Sequence, residues 1–184
     1  MKKKIFIAAT RQNDGKTTVS LGLFDALRKR DPSIQYMKPV GQQTLEVNGS
    51  RIDKDAVLFQ QTFGLNEESL PLMSPVASPK GFTETYISQP DPTRIDQKIQ
   101  LANDKLGQTC ATILYEGTGH AGVGSVFDHS NAHVAKRLNA PVILVSIGGI
   151  GKSIDEIMLN AAVFKALDVP IMGVIINKVI PQKY

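Results

Sequence analysis

Apolar residues in this chain fall into short solid runs that alternate with longer stretches of spaced apolar positions. Lys4–Ala9 (KIFIAA), Gln35–Val40 (QYMKPV), Ala111–Glu116 (ATILYE), Pro141–Ser146 (PVILVS) and Ile171–Asn177 (IMGVIIN) have the length and content of strands. Helical spacing predicts a helix over Thr17–Arg30, where Val19, Leu23, Ala26 and Leu27 recur on one face and Asp31-Pro32 closes the segment. Further helices are predicted over Ile52–Phe63, stopped by Gly64, and over Thr93–Gln108, Asn131–Leu138 and Ser153–Leu167. Residues 64–92 carry five prolines and no period, which predicts a long loop, and 117–127 reads as a Gly-rich loop. The later strands are almost purely apolar, as strands buried on both faces must be. The alternation therefore predicts an α/β fold, a parallel sheet with helices on both faces. In such sheets a ligand sits beyond the carboxyl ends of the strands. The residues that follow the strands directly are Thr10–Thr18, Lys38, Glu116–Gly119, Gly148–Ser153 and Asn177.

Composition narrows this little. The 184 residues suffice for one domain with a real core, and 42% apolar with 21% charged residues is ordinary for a globular protein. The sequence holds no run of eighteen apolar residues, so no membrane span is expected, and Ile5–Ala9 is too short for a signal peptide. A single cysteine, Cys110, cannot form an internal disulfide and points to a reducing cytoplasm. The net charge of +4 owes much to Lys2, Lys3 and Lys4. We read these as a solvated N-terminus and expect no nucleic-acid partner, because four Tyr, seven Phe and no Trp leave little for base stacking.

Chemistry enters at Ala8–Thr18, AATRQNDGKTT. Gly15-Lys16-Thr17 is the tail of a phosphate-binding loop between a predicted strand and a predicted helix. Such a loop aims backbone N–H groups at phosphate oxygens, and the helix N-terminus behind it adds partial positive charge. Lys16 would reach the outer phosphates and the Thr17 hydroxyl would hold Mg²⁺. Thr10 stands where the motif has its first glycine. A second stretch, Ser146–Ser153 (SIGGIGKS), also ends in Gly-Lys-Ser between strand and helix. A phosphate loop also needs a carboxylate at the end of a later strand for the ion. Glu116 supplies one downstream of Lys16, whereas the one strand after Lys152 ends in Asn177. The first loop is therefore expected to hold the nucleotide, and Gly148–Ser153 to be a tight turn lining the cleft.

These residues carry a resemblance. The loop Ala9–Thr17 resembles the G-T-D-T-x-x-G-K-T loop of dethiobiotin synthetases, in which threonine also takes the first glycine's place. The segments YMKPVG, KDAVLF, YEGTGH and GVIINK resemble that family's further motifs in the same order, from Lys4 to Lys178. Related patterns occur in cobyrinic acid a,c-diamide synthases and in the N-terminal domain of some phosphate acetyltransferases. The resemblance implies a P-loop NTPase-like fold and a single ATP-binding domain over residues 1–184, lacking a C-terminal strand and loop that the family adds. It implies ATP and Mg²⁺, a homodimer, and phosphorylation of a carboxylate or of a carbamate made from CO₂ and a diamine. Carried over by position, Thr10, Asn13, Asp14, Gly15, Lys16, Thr17 and Thr18 would hold the nucleotide and Asn177 would read the adenine edge. Thr17, Asp55 and Glu116 would hold Mg²⁺. Lys16 and Lys38 would be catalytic, the first on the transferring phosphoryl group and the second on the acid being activated.

Several of these positions admit a plainer reading. Asp55 also suits the first turn of a helix, where negative charge is stabilising. Lys38 could be an exposed strand-end lysine, and Asn177-Lys178 a plain turn. Arg11, in the place of the loop's aspartate, fits either a phosphate contact or the surface. His129 and His133 are four apart, but Asp128–Asn131 looks like a helix start with Ser130 or Asn131 as cap, so a zinc site is not expected. Gln42 and His120 depart from the family's pattern on the substrate side. A nucleotide-binding regulatory module that transforms no small substrate therefore stands as the alternative to an enzyme.

Overall fold

The computed structural model describes residues 2–180; the terminal residues of the single domain expected from sequence, 1 and 181–184, lie outside the described residues. Five parallel strands form the central sheet: β1 (Lys3–Ala9), β2 (Gln35–Met37), β7 (Thr112–Glu116), β8 (Val142–Ile147) and β9 (Ile171–Asn177), in the order β2-β7-β1-β8-β9. Successive residues of one strand enter opposite layers. Phe6 and Ala8 of β1, with Ile113 and Tyr115 of β7, pack into a core formed with α5 (Pro92–Gln108), α6 (Asn131–Arg137) and α7 (Lys152–Ala166). Ile7, Ala9 and Leu114 pack into the other, against α1 (Lys16–Arg28), α2 (Lys54–Phe63) and α3 (Leu70–Met73). This two-sided burial is why the strands read as unbroken apolar runs.

Helix ends follow their local signals. Asp91 accepts from the Arg94 amide at the start of α5, with Pro92 as the first helical residue. Ser130 accepts from the His133 amide at the start of α6. Gly64 ends α2 at φ 59°, in the left-handed region.

Three expectations need correction. The strand predicted over Gln35–Val40 ends at Met37, and Val40–Gly41 forms a separate short strand, β3, paired with β6 (Val76–Ala77). The helix predicted from Ile52 starts at Lys54, because Ser50–Asp53 is strand β5, the return arm of a hairpin with β4 (Thr44–Val47). The hairpin turns at Asn48-Gly49, whose φ angles of 49° and 74° are those a tight two-residue turn requires. Residues 64–92 are not a long loop: they hold α3, β6 and α4 (Phe82–Ser88). These elements are two to seven residues long, too short to display a period, and the prolines sit at helix starts and between elements.

At the far edge of the sheet, Met172, Val174 and Ile176 of β9 and Ile154, Met158 and Leu159 of α7 are exposed. Among the described residues no helix is long and apolar enough to cross a membrane.

Under β2 and α1 the core is aromatic. Phe59 is fully buried, stacks on Tyr36 with ring centroids 3.6 Å apart and meets Phe24 edge-on at 5.4 Å. Truncating it removes those contacts and leaves a cavity that rigid neighbours cannot fill. Phe59→Ala is expected to cost about 3–5 kcal/mol in urea unfolding; a loss near zero would mean this layer does not pack as described.

Candidate functional site

The carboxyl ends of β1, β2 and β7 meet at one edge of the sheet. Register brings Ile7 beside Glu116, and Met37 beside Tyr115. The loop leaving β1, the lysine following β2 and the last residue of β7 therefore converge. The Thr17 hydroxyl donates to Glu116 Oε1 at 2.9 Å. The Lys38 ammonium donates to that same oxygen at 3.3 Å, makes a close ion pair with Asp55, and lies 3.7 Å from Asp53. Glu116 is fully buried and Lys38 is 6% exposed.

Charge in so dry a place must be compensated. Burial opposes the Lys38 charge, but Glu116, Asp53 and Asp55 outweigh it and raise its pKa, so it stays an ammonium ion. Burial lowers the Lys16 pKa; Glu116 partly offsets this, and Lys38 adds to it. Burial also raises the Asp53 pKa, against the pull of Lys38.

The loop itself is braced from behind. Thr10 Oγ1 donates to Asp14 Oδ2 at 2.7 Å and lies 3.1 Å from Ser146 Oγ. Asp14 also accepts from the Arg11 amide at 2.9 Å. Thr10 and Asp14 are both buried, so their side chains shape the loop, and Thr10 does by hydrogen bonding what a glycine does by freedom of φ. Asn177 Nδ2 donates to the Asp14 carbonyl at 2.8 Å. Lys178 Nζ donates to the Asn13 carbonyl at 2.6 Å. Arg11 reaches Glu156 of α7 at 3.0 Å and remains partly exposed. Gly15 has φ 96°, and a Cβ there would lie 2.1 Å from Asn177 Nδ2. Only glycine satisfies both conditions.

Loop residues Asn13, Gly15, Lys16, Thr17 and Thr18 line a cleft of about 350 Å³, as do Lys38, Asp55 and Glu116. Thr10, Asp14 and Asn177 lie outside that lining. So does Gly148–Ser153, contrary to expectation: Gly149 and Ser153 border a separate apolar pocket with Ile154, Ile157, Ile176 and Val179. Lys152 is exposed and lies 3.9 Å from Glu156. The histidines serve locally. His129 bonds Asp96 (2.7 Å) and the Phe127 carbonyl (2.6 Å), and His133 bonds the Ser130 hydroxyl.

With this geometry in view, the chain can be compared with known proteins. An AAA domain family profile matches residues 3–183. The chain belongs to this family. It is 26% identical to the ATP-dependent dethiobiotin synthetase BioD of Nitrosopumilus maritimus over 95% of its length and 76% of that protein's. It is 29% identical to the BioD of Clostridium kluyveri, over 97% of the chain and 75% of that protein. A phosphate acetyltransferase of Synechocystis matches at 28% over 99% of the chain but only 26% of its own length. Among solved structures, the chimerical protein CapA2B2 has a TM-score of 0.61 at 14% identity, covering 97% of this chain and 77% of that one. A plasmid partition protein from Borrelia burgdorferi has 0.54 at 13%, covering 95% and 79%. The likeness to these structures concerns the fold, which is P-loop NTPase-like. The family resemblance to dethiobiotin synthetases read from the motifs holds.

Sequence reasoning missed Asp53, along with Gln43, Lys54, Thr118 and Lys178, which also line the cleft. Asp53 ends β5, is 1% exposed, caps α2 by accepting from the Asp55 amide at 2.9 Å, and accepts from the Gln43 amide at 3.3 Å. The signal was present: Asn48-Gly49 predicts a hairpin, and a hairpin ending in Asp before an apolar-periodic run predicts a cap.

Two outcomes test this site. Asp53→Asn keeps a capping oxygen and is expected to retain most of the stability, whereas Asp53→Ala should lose roughly 1–2 kcal/mol in thermal or urea unfolding. Equal stability of the two variants would remove the capping role. Gly15→Ala should abolish nucleotide binding in calorimetry and lower the melting temperature, through both its φ and the collision with Asn177.

Proposed function

We propose that this domain binds Mg²⁺–ATP in the Thr10–Thr18 loop and transfers the γ-phosphoryl group to a carboxylate or carbamate oxygen held near Lys38. The observation that carries the reading is the Thr17 hydroxyl on Glu116, with Lys38 between Glu116 and Asp55, at the mouth of the loop.

The donor set suits Mg²⁺: the oxygens of Thr17, Glu116 and Asp55 are hard, and magnesium in such sites draws its remaining ligands from water and phosphate. When bound, the ion would neutralise phosphate charge. The chain's own groups do the rest. Backbone amides around Gly15 and the N-terminus of α1 cradle the phosphates. Burial lowers the Lys16 pKa, and phosphate oxygens facing it would favour its ammonium form. Lys38 draws the anionic acceptor toward the anionic phosphate and offsets their repulsion.

The acceptor oxygen attacks the γ-phosphorus as the bond to the β–γ bridging oxygen breaks, giving ADP and an acyl or carbamoyl phosphate. An amine then attacks the activated carbon, phosphate leaves, and an amide or ring forms. This is the chemistry of a dethiobiotin synthetase-like ligase, and relatives named ATP-dependent dethiobiotin synthetase support it.

A second reading has its own support. The phosphate acetyltransferase relative aligns over nearly all of this chain but only a quarter of its own, as a module grafted onto another protein would. Such a module would bind nucleotide without turning over an acid.

Calorimetry and a phosphate-release assay separate the outcomes. Lys16→Ala is expected to weaken Mg²⁺–ATP binding by about two orders of magnitude, and Lys152→Ala to leave it within twofold. The reverse pattern would move the site to the second loop. Acid-stimulated phosphate release that disappears in Lys38→Ala supports the enzyme; binding with no stimulation by any acid supports the module.

A further inference from the structure

We propose that the acceptor is a compact acid bearing further polar groups, and not an acid or diamine carried on an alkyl chain. This rests on the phosphoryl-transfer reading above and narrows its substrate. Among the described residues, no side chain lining the cleft is aliphatic or aromatic. Away from the phosphate loop its wall comprises Lys38, Gln42, Gln43, Lys54, Thr118, Gly119 and Lys178, with Asp53, Asp55 and Glu116. Gly119 apart, these present ammonium, amide, hydroxyl or carboxylate groups.

The polar wall is built, not incidental. The Gly41 carbonyl accepts from the Ser78 amide at 2.7 Å, the Gln43 carbonyl accepts from the Lys54 amide at 2.8 Å, and the Gln43 amide donates to Asp53 at 3.3 Å. The backbone of residues 41–43 is thereby fixed at the lip of the cleft, while the Gln42, Gln43 and Lys54 side chains are exposed. Each glutamine offers an amide donor pair beside a carbonyl acceptor. Such a pair recognises a hydroxyl, an amide or a carboxylate. Lys54 stands one residue from Asp55, lines the same cleft as Lys38, and supplies a second cation for a second anionic group.

The cleft, about 350 Å³, must also receive the outer phosphates. Diaminopelargonate, the diamine of dethiobiotin formation, carries five consecutive methylenes. Here they would lie against amides and ammonium groups, strip water from them and return no hydrogen bond. A site built to hydrogen-bond its ligand discriminates strongly against one that leaves its groups unpaired.

The test uses the full chain with Mg²⁺ and a non-hydrolysable ATP analogue. L-Glutamate, L-malate and citrate are titrated against diaminopelargonate with bicarbonate, and each is then assayed for phosphate release with ATP. At least one short acid is expected to bind tenfold or more tighter than diaminopelargonate and to stimulate release. The double variant Gln42→Leu/Gln43→Leu should weaken that acid tenfold or more while nucleotide affinity stays within twofold. Tighter binding of diaminopelargonate, or binding of none of the three short acids by a protein that does bind nucleotide, overturns the proposal. An unchanged acid affinity in the double variant overturns it too. Failure to bind the nucleotide at all strikes the phosphoryl-transfer reading itself, a separate result visible in the first titration.

Discussion

One buried ammonium ion organises the ligand edge of this domain. Glu116 ends a strand with both faces covered, and Asp53 and Asp55 flank the start of α2; all three side chains are nearly excluded from water. Left alone, three such carboxylates would repel one another and bear heavy desolvation costs. Lys38 touches two of them and lies within 3.7 Å of the third. Its place follows from backbone alone. β2 pairs with β7 through Met37 and Tyr115, so the next residue on each strand, Lys38 and Glu116, must meet. The Lys38 amide donates to the Met73 carbonyl at 2.7 Å, which turns the chain off the sheet there and sends it toward the hairpin that delivers Asp53. The ion cluster thus ties the sheet to the segment over residues 38–77.

The phosphate loop depends on a different kind of support. Its backbone amides can face a ligand only if its side chains and carbonyls are satisfied from below. Thr10 and Asp14 satisfy each other, the end of β9 takes the Asp14 and Asn13 carbonyls, and Asn160 of α7 takes the Thr10 carbonyl at 3.1 Å. Asn160 also accepts from the Ala121 amide at 2.8 Å, so the loop after β1 and the loop after β7 share one brace. The loop is thereby held in shape by hydrogen bonds from the residues behind it. This gives a physical sense to a threonine at the first position of the motif. The loop's curvature is held by hydrogen bonds, and glycine remains where a Cβ would collide.

What the sequence made legible divides along the same line. Strands buried on both faces announce themselves as apolar runs, so the sheet, its flanking helices and the residues beyond its strand ends could be read in advance. That Lys16, Thr17, Lys38, Asp55 and Glu116 line one cleft could be anticipated because each ends or follows a strand or opens a helix at that edge of the sheet. The direction of Thr10 and Asp14 was not, since a motif gives position and not which way a side chain turns. Residues 64–92 hid three elements because two- to seven-residue pieces held by long-range contacts leave no periodic trace. Asp53 was lost with the hairpin: once Ile52 was counted as helix, the residue after it ceased to be a candidate cap.

The two Gly-Lys-Ser/Thr loops make the general point. Both follow a strand and open a helix, and sequence spacing alone treats them as equals. Lys16 is 9% exposed among Glu116, Lys38 and Asp55, whereas the Lys152 side chain is 74% exposed and lies 3.9 Å from Glu156. The difference lies in the neighbours. β1 sits between β7 and β8, so the loop that follows it emerges beside the carboxylate of one strand and the Ser146 hydroxyl of the other. β8 is flanked by β1 and by β9, whose last residue is an asparagine already committed to Asp14. A lysine at a helix N-terminus is held in a charged cluster when the adjoining strand end supplies the countercharge, so in this fold strand order decides which of two similar loops faces the buried carboxylates.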